Sequence, residues 1–302
     1  MRLSVVVPTK NRPDELRNFL ASLWIQQLLP DQLIIIDQSE ASKIIHKEVN
    51  EKATELGIKL DYIHDESING LVQAKAAAIP YNKCSIISFF DDDIVLEADC
   101  LKEMAKAFYD NLQMTAANGL ILNAPKESFF RRLVFEFTHF GLYKDNRRKV
   151  FYQLIDKKGD QLLPQKINAL SGGLTFYKKE IFEKAPFDVK NRFHAYEDKE
   201  HSVRVALFFP DSMYLIPRAR LYHYHAQTNR ESELNKVKND NIEIIKLFKK
   251  YKNRSLLGVD LFILLLGLFF YAMLKGIKYR SPLYLLNYFY GIKEGVRFKL
   301  ES

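Results

Sequence analysis

Three consecutive carboxylates, Asp91, Asp92 and Asp93, follow the apolar run SIISFF at 85–90. Adjacent carboxylates repel, and the end of a buried strand is a poor place for them unless a cation is held there. Side chains alternate along an extended segment, so Asp91 and Asp93 are expected to point the same way. Two carboxylates on one side suit Mg2+ or Mn2+, ions that also bridge a diphosphate. A solvated acidic turn is the alternative. The chain has no GxxxxGK[ST] loop and no GxGxxG after its first apolar run. Phosphates bound here would need another source of positive charge, and a carboxylate-held metal is the usual one.

Three further clusters could belong to the same chemistry. His223 and His225 lie in RLYHYHAQTNR. One neutral imidazole could complete a metal shell, although His at i and i+2 are also ordinary strand residues. Gly172 and Gly173 interrupt the apolar stretch NALSGGLTFY, which suggests close backbone approach, as to a bound substrate, or a plain turn. Glu197 and Asp198 open the amphipathic stretch EDKEHSVRVALF. Carboxylates at a helix start complement the dipole. They can equally serve as a general base for an attacking hydroxyl. Spacing alone does not rank these two readings.

The elements that must position these groups are legible upstream. LSVVV at 3–7, LIII at 33–36, LDYI at 60–63 and SIISFF at 85–90 read as strands. Helical spacing is expected over 14–28, 41–56 (stopped by Gly57) and 70–79, with a further helix start at 178–184 and a strand at 213–217. Continuous apolar strands alternating with helices mean a parallel sheet covered on both faces. Functional groups in such sheets sit where strands end. Here those ends are polar: Pro8-Thr9-Lys10-Asn11, Asp37-Gln38-Ser39, His64-Asp65-Glu66 and Asp91-Asp92-Asp93.

The 302 residues are 47% hydrophobic, enough for one large domain or a domain with an appendage, and too apolar for general disorder. Charge is uneven. Residues 218–302 hold 16 Lys/Arg and 7 Asp/Glu, a balance of +9, while the remainder is near neutral. A basic tail implies an anionic partner, and the tail's hydrophobicity favours an acidic lipid surface over nucleic acid, for which there is no reader motif. Cys84 and Cys100 form neither a disulfide framework nor a CxxC metal site. The N-terminal apolar run is too short for a signal peptide, so the catalytic part is expected in the cytoplasm.

Taken together these blocks resemble the family 2 glycosyltransferases. VVVPTKNRPDELRNFLASL resembles that family's opening strand, turn and helix, and LIIIDQSE its second strand. FFDDDIVLEADCLKEM resembles its DxD segment, and SGGLTFYKKEIFEKAPFDVKNRFHAYEDKEHSVRV its acceptor-side block. The resemblance covers about residues 1–230. It implies an α/β fold of GT-A type, a Rossmann-like, mostly parallel sheet flanked by helices. It implies an enzyme, hexosyltransferase-like, that moves a sugar from a nucleotide-diphosphate sugar with inversion and a divalent metal (Mn2+ or Mg2+).

The resemblance also implies residue roles. Pro8, Thr9 and Asn11 would line the nucleoside pocket and Asp37 would bind the base. Asp93 would be a direct metal ligand, Asp91 would meet the ribose or the metal, and Asp92 is grouped with the nucleotide-sugar residues. His223 would be the third metal ligand, with His225 in reserve. Gly172 and Gly173 would face the acceptor. Asp198 would be the catalytic base, Glu197 would orient acceptor or base, and Arg204 would brace their helix. Lys75 and Ala76 stand where the family often has Arg-Asn. A lysine meets a phosphate as a point charge rather than a fork. Glu200 stands where Asp is more common.

Residues 1–230 are therefore expected to be the catalytic domain, and 231–302 a helical membrane-associating region. LLGVDLFILLLGLFFYAML at 256–274 approaches spanning length, but Asp260 interrupts it and basic residues flank both ends. PLYLLNYFYGI at 282–292 is too short to span. Lys/Arg rims and many aromatics suit in-plane or re-entrant association at the cytoplasmic face of a membrane. A true span, or burial against the protein body or a second copy in a homo-oligomer, is the alternative. The family often carries such tails when the acceptor is a lipid-linked saccharide, and a growing polysaccharide is the other acceptor considered. Competing functions are nucleotidyl transfer, which normally needs a Gly- and Arg/Lys-rich loop that PTKNRPDE lacks, and a non-catalytic membrane scaffold.

Overall fold

The four apolar runs become strands because branched and aromatic residues pack well when a sheet is buried on both faces. The computed structural model describes residues 1–41, 45–125, 128–156, 163–191, 193, 196–224 and 232–301. Its first elements are β1 (Leu3–Thr9), α1 (Pro13–Trp24), β2 (Gln32–Asp37), α2 (His46–Glu55), β3 (Lys59–His64), α3 (Leu71–Ala78) and β4 (Ile86–Phe90). Every residue of β1, β2 and β4 is buried. Alternate residues serve opposite faces. Val5, Val7, Leu33 and Ile35 join one core, and Val6, Ile34 and Ile36 the other.

The later elements are β5 (Ile94–Leu96), α4 (Cys100–Asp110), β6 (Ala116–Ile121), α5 (Phe129–Thr138), α6 (Arg147–Asp156), β7 (Gln165–Lys166) and β8 (Leu174–Lys178). They continue with α7 (Ile181–Lys184), α8 (Glu197–Phe208), β9 (Met213–His223), α9 (Glu233–Lys250), α10 (Val259–Lys278) and α11 (Leu283–Arg297). Among the described residues nine strands form one sheet, in the order β3-β2-β1-β4-β8-β6-β9-β5, with β7 on β9. β3, β2, β1 and β4 are mutually parallel, as alternation with helices predicts. Beyond β4 the sheet is mixed, because β8 runs antiparallel to both β4 and β6. Parallel register sets Thr9 beside Asp37 and Asp37 beside His64, so three polar strand ends share one rim.

Several boundaries differ from the sequence reading: the helix expected over 41–56 begins only at His46, and the helix start expected at 178–184 only at Ile181. The first helix stops at Trp24 rather than 28. The Gln26 side chain is taken up by Ser22 O, Glu97 O and Leu101 N, which fixes the chain after the helix. The strand expected at 213–217 runs on to His223, because β5 and β6 both extend along its second half.

By contacts the chain groups into two units. The first holds residues 1–124, 146–189 and 201–228, and contains the whole sheet. The second holds 125–145, 190–200 and 229–302, with α5, the first turn of α8, and α9 to α11. In that second unit α11 lies close on α9. A Cβ on Gly291 would come 2.3 Å from Lys238 O, so only glycine permits the approach. Val237, Ala272, Tyr284 and Tyr288 form its apolar centre.

Candidate functional site

The acidic triplet follows β4 directly, and hydrogen bonds fix its backbone. Asp91 N–H donates to Gly173 O (2.9 Å), and Tyr224 N–H donates to Asp93 O (3.0 Å). Antiparallel pairing then sets Ile94 of β5 opposite His223 of β9. His223 Nε2 lies 3.0 Å from Asp93 Oδ1 and 3.9 Å from Asp91 Oδ2. One ligand atom from each of Asp91, Asp93 and His223 falls within a 4.8 Å span. Two carboxylate oxygens and an imidazole nitrogen at that spacing form a donor set that fits a divalent cation. His225 lies outside the described residues.

Asp92 is directed elsewhere. Its Oδ2 accepts from Thr9 Oγ1 (2.8 Å) and its Oδ1 from Arg12 Nη1 (3.1 Å). Burial pushes its carboxyl up to about 6, against the pull of Thr9 and Arg12 in the other direction. The alternation thus separates a pair facing His223 from a middle carboxylate that ties the triplet to the end of β1. Asp91 is also raised, burial outweighing the nearby positive charge of Lys75. Lys75, on α3, is itself almost fully buried, which places its ammonium in the electrostatic environment of Asp91.

Gly173 has a local reason to be glycine. A Cβ there would sit 1.9 Å from Asp91 Oδ2. The close approach that the Gly-Gly pair signalled is therefore made to the Asp91 carboxylate. Gly172 beside it is half-buried. Gly173→Ala is expected to displace that carboxylate, costing about 1–3 kcal/mol from overpacking. It should also weaken Mn2+ binding measured by isothermal titration. Unchanged Mn2+ affinity would remove Asp91 from the ligand set.

The ends of β1 and β2 form a second polar group. Asp37 is buried, accepts from Ser39 N–H (2.9 Å), and is hydrogen-bonded by the Tyr62 hydroxyl. Burial and that carboxylate hold the Tyr62 phenol well above its usual range. Asn11 adopts a left-handed conformation (φ 56°). Its N–H donates to Ser39 Oγ (2.6 Å) and its Oδ1 accepts from Glu40 N–H (3.0 Å). Pro8 pairs with Ile36 in register and lends no donor. Pro8, Thr9, Asn11 and Asp37 therefore share one strand-end rim.

Sequence reasoning missed three residues that build this region. Arg12 reaches Asp92 and lies 4.0 Å from Asp93 Oδ2. Asn123 brackets His223, accepting from its N–H (2.9 Å) and donating to its carbonyl (3.0 Å). Buried Asn118 accepts from Ser171 N–H and donates to Leu174 O and Thr175 Oγ1, which holds the glycine turn. The available signal for Asn118 was a buried amide inside a strand, which demands partners.

Glu197 and Asp198 occupy the first turn of α8, within the second unit. Glu197 is buried and Asp198 half-buried, its Oδ1 accepting from Lys199 N–H (2.7 Å). Glu200 is buried in the same unit and accepts from Tyr251 Oη (2.6 Å) and Lys250 Nζ (2.7 Å). α9 and its C-cap thereby hold the turn that carries Asp198. Tyr251→Phe should cost about 1.5–3 kcal/mol, the range for a hydrogen bond to a charged group. Urea unfolding checks this, and a loss well under 1 kcal/mol would mean Lys250 alone holds Glu200. In the first unit, Arg204 ties the later part of α8 to Pro186 O (2.6 Å) and Asp188 (3.5 Å).

Solved structures with the same fold are distant in sequence. S. aureus TarS is 16% identical, with a TM-score of 0.52 over 84% of this chain and 43% of its own. GalNAc-T7, solved with UDP, GalNAc and Mn2+, is 13% identical, with a TM-score of 0.61 over 82% of this chain and 48% of its own. The mannosyltransferase PcManGT from Pyrobaculum calidifontis, in complex with GDP-Man and Mn2+, is 13% identical. Its TM-score is 0.58 over 98% of this chain and 86% of its own. This chain thus spans less than half the length of the first two. No curated protein sequence matches it. The family model described as "Glycosyl transferase family 2" matches residues 4–185, more than half of the chain. With that match added to the strand-end chemistry and the shared fold, the chain belongs to the family 2 glycosyltransferases and has the GT-A fold.

Proposed function

We propose that this enzyme transfers a sugar from a nucleoside-diphosphate sugar to a hydroxyl of a lipid-linked saccharide or growing polysaccharide, with inversion, at the cytoplasmic face of a membrane. The observation that carries the reading is the convergence of Asp91, Asp93 and His223 beside the polar ends of β1 and β2. GalNAc-T7 and PcManGT, whose structures hold Mn2+ with UDP or GDP-Man, support a donor of the same class.

In this reading Asp91, Asp93 and His223 would hold Mn2+ or Mg2+. A divalent ion bound there would neutralise charge on the donor's diphosphate. Asp37, Asn11 and Thr9 bind and orient the nucleoside, and Lys75 adds positive charge next to Asp91. The acceptor oxygen forms its bond to the anomeric carbon as the bond from that carbon to the diphosphate oxygen breaks. The hydroxyl proton passes to Asp198, and the nucleoside diphosphate leaves with the bonding pair. One displacement from the opposite face inverts the anomeric centre. Gly172 and Gly173 would face the acceptor, and Glu197 would orient the base.

A thermal-shift panel of UDP, GDP, dTDP, CMP and ATP, each with and without Mn2+, tests the donor half. A ligand at about 100 times its dissociation constant adds roughly 2.7 kcal/mol of stability. We expect a shift for one diphosphate, dependent on metal. Equal shifts without Mn2+ would remove the metal from donor binding. No shift with any nucleotide, in folded protein, would overturn the donor assignment.

A further inference from the structure

Three helices of the second unit carry an apolar stripe on the outside. In α5, Phe130, Leu133, Val134 and Phe137 recur at helical spacing and are 42–72% exposed. A helix of a soluble protein turns such a stripe inward. In α10, Phe262, Leu266, Phe270 and Leu274 form a second exposed stripe, and Leu283, Leu286 and Tyr290 form a third on α11. The three helices pack side by side. Gly267 of α10 faces Thr138 of α5, and Tyr288 of α11 donates to Leu265 O of α10 (2.9 Å). Exposed apolar stripes on three helices that pack together mark an interaction face.

Charge identifies the occupant. Arg131 and Arg132 lie on α5, Lys252 and Arg254 precede α10, and Lys278 and Arg280 follow its apolar run. A second copy would bring more positive charge to the contact, whereas an anionic lipid surface neutralises it.

Packing also decides how lipid is engaged. The 20 residues of α10 are long enough to cross a bilayer, at ~30 Å. They lie antiparallel along α9, however. Lys275 pairs with Glu233 (2.9 Å) at one end, and at the other a Cβ added to Gly258 would lie 3.9 Å from the Phe248 ring. α9 carries eight charged residues along its length. α10 cannot stand across hydrocarbon without drawing those charges in beside it. Asp260, which interrupts the apolar run, is fully buried at the start of α10, where it accepts from Leu142 N–H (2.9 Å) and from the Ser255 hydroxyl.

We propose that α5, α10 and α11 form one in-plane platform whose outer stripes enter a single leaflet of an anionic bilayer, with α9 kept on the aqueous side. This rests on the membrane reading above and adds α5 and the mode of insertion. The test uses the full chain, whose native Cys84 and Cys100 are buried. Single cysteines at Leu133, Phe262, Leu266, Leu274 and, as control, exposed Lys236 carry an environment-sensitive fluorophore. The probe is phosphatidylcholine vesicles with and without phosphatidylglycerol. The first four labels should shift to the blue on the anionic vesicles, with one common shallow quenching depth, and Lys236 should stay in water. Leu133→Glu should weaken vesicle binding about tenfold or more and leave Mn2+-dependent nucleotide stabilisation intact.

Depth changing steadily from Phe262 to Leu274 would show a span and overturn the platform. A Leu133 label that stays in water would overturn the part given to α5. Labels shielded without lipid, in protein that sediments as a dimer, would assign the face to a second copy. Absent vesicle binding with an intact nucleotide shift would overturn the platform while leaving the donor assignment standing.

Discussion

Asp198→Asn should lower the turnover of sugar transfer by about 10²–10⁴-fold, the usual contribution of a positioned general base. Nucleotide affinity should stay within a few-fold of the parent enzyme. The amide keeps the shape of the carboxylate and an oxygen that can still accept from Lys199 N–H, as Asp198 Oδ1 does now (2.7 Å). It cannot take up a proton at neutral pH. The substitution therefore separates base chemistry from the other role open to an acidic residue in the first turn of α8, favourable interaction with the helix dipole. That role is worth about 0.3–1 kcal/mol and would show in unfolding rather than in turnover. Initial rates under saturating donor and acceptor, with Mn2+-dependent nucleotide binding measured in parallel, give both readings. Turnover within a few-fold of normal would reduce Asp198 to a helix-start residue and pass the base role to buried Glu197.

Asp93→Ala should act on the other half of the reaction. Loss of a direct ligand is expected to weaken Mn2+ binding by more than the roughly 10–100-fold that follows loss of an outer-shell partner. Metal-dependent stabilisation by the nucleotide should disappear with it. His223→Ala should act in the same direction, since its Nε2 and Asp93 Oδ1 are 3.0 Å apart. Asp92→Asn provides the contrast. That carboxylate is directed to Thr9 and Arg12, so its loss should loosen the attachment of the triplet to β1 and spare most of the metal affinity. Titration calorimetry with Mn2+ on the three variants decides the matter. Equal losses for Asp92→Asn and Asp93→Ala would mean that the cluster acts through its summed charge and not through the ligand set assigned to it.

Local pattern determined much of this molecule from the sequence alone. β1, β2 and β4 are continuous apolar runs because both their faces are buried, and that demand is visible residue by residue. Their polar ends were legible for the same reason, since Thr9, Asp37 and Asp91 stand where the apolar run stops. Alternation alone pointed Asp91 and Asp93 to one side, and the ordered blocks pointed to the family whose model matches residues 4–185.

Long-range register decided the rest. His223 meets Asp93 only because β9 runs six residues past Pro217 and pairs with β5, and no local signal carries that pairing. Gly173 and Asp91 are far apart in sequence, so the contact that forbids a side chain at Gly173 could not be read from the Gly-Gly pair. Glu200 reads as a mild departure in sequence. In the fold its buried carboxylate is claimed by Lys250 and Tyr251. The same holds for α5, whose periodicity marks an apolar stripe but not which way it faces. Periodicity reports how much of an element is buried. Which partner buries it is settled when distant segments meet, and in this protein that step places the imidazole beside the carboxylates and turns the stripes of α5, α10 and α11 outward.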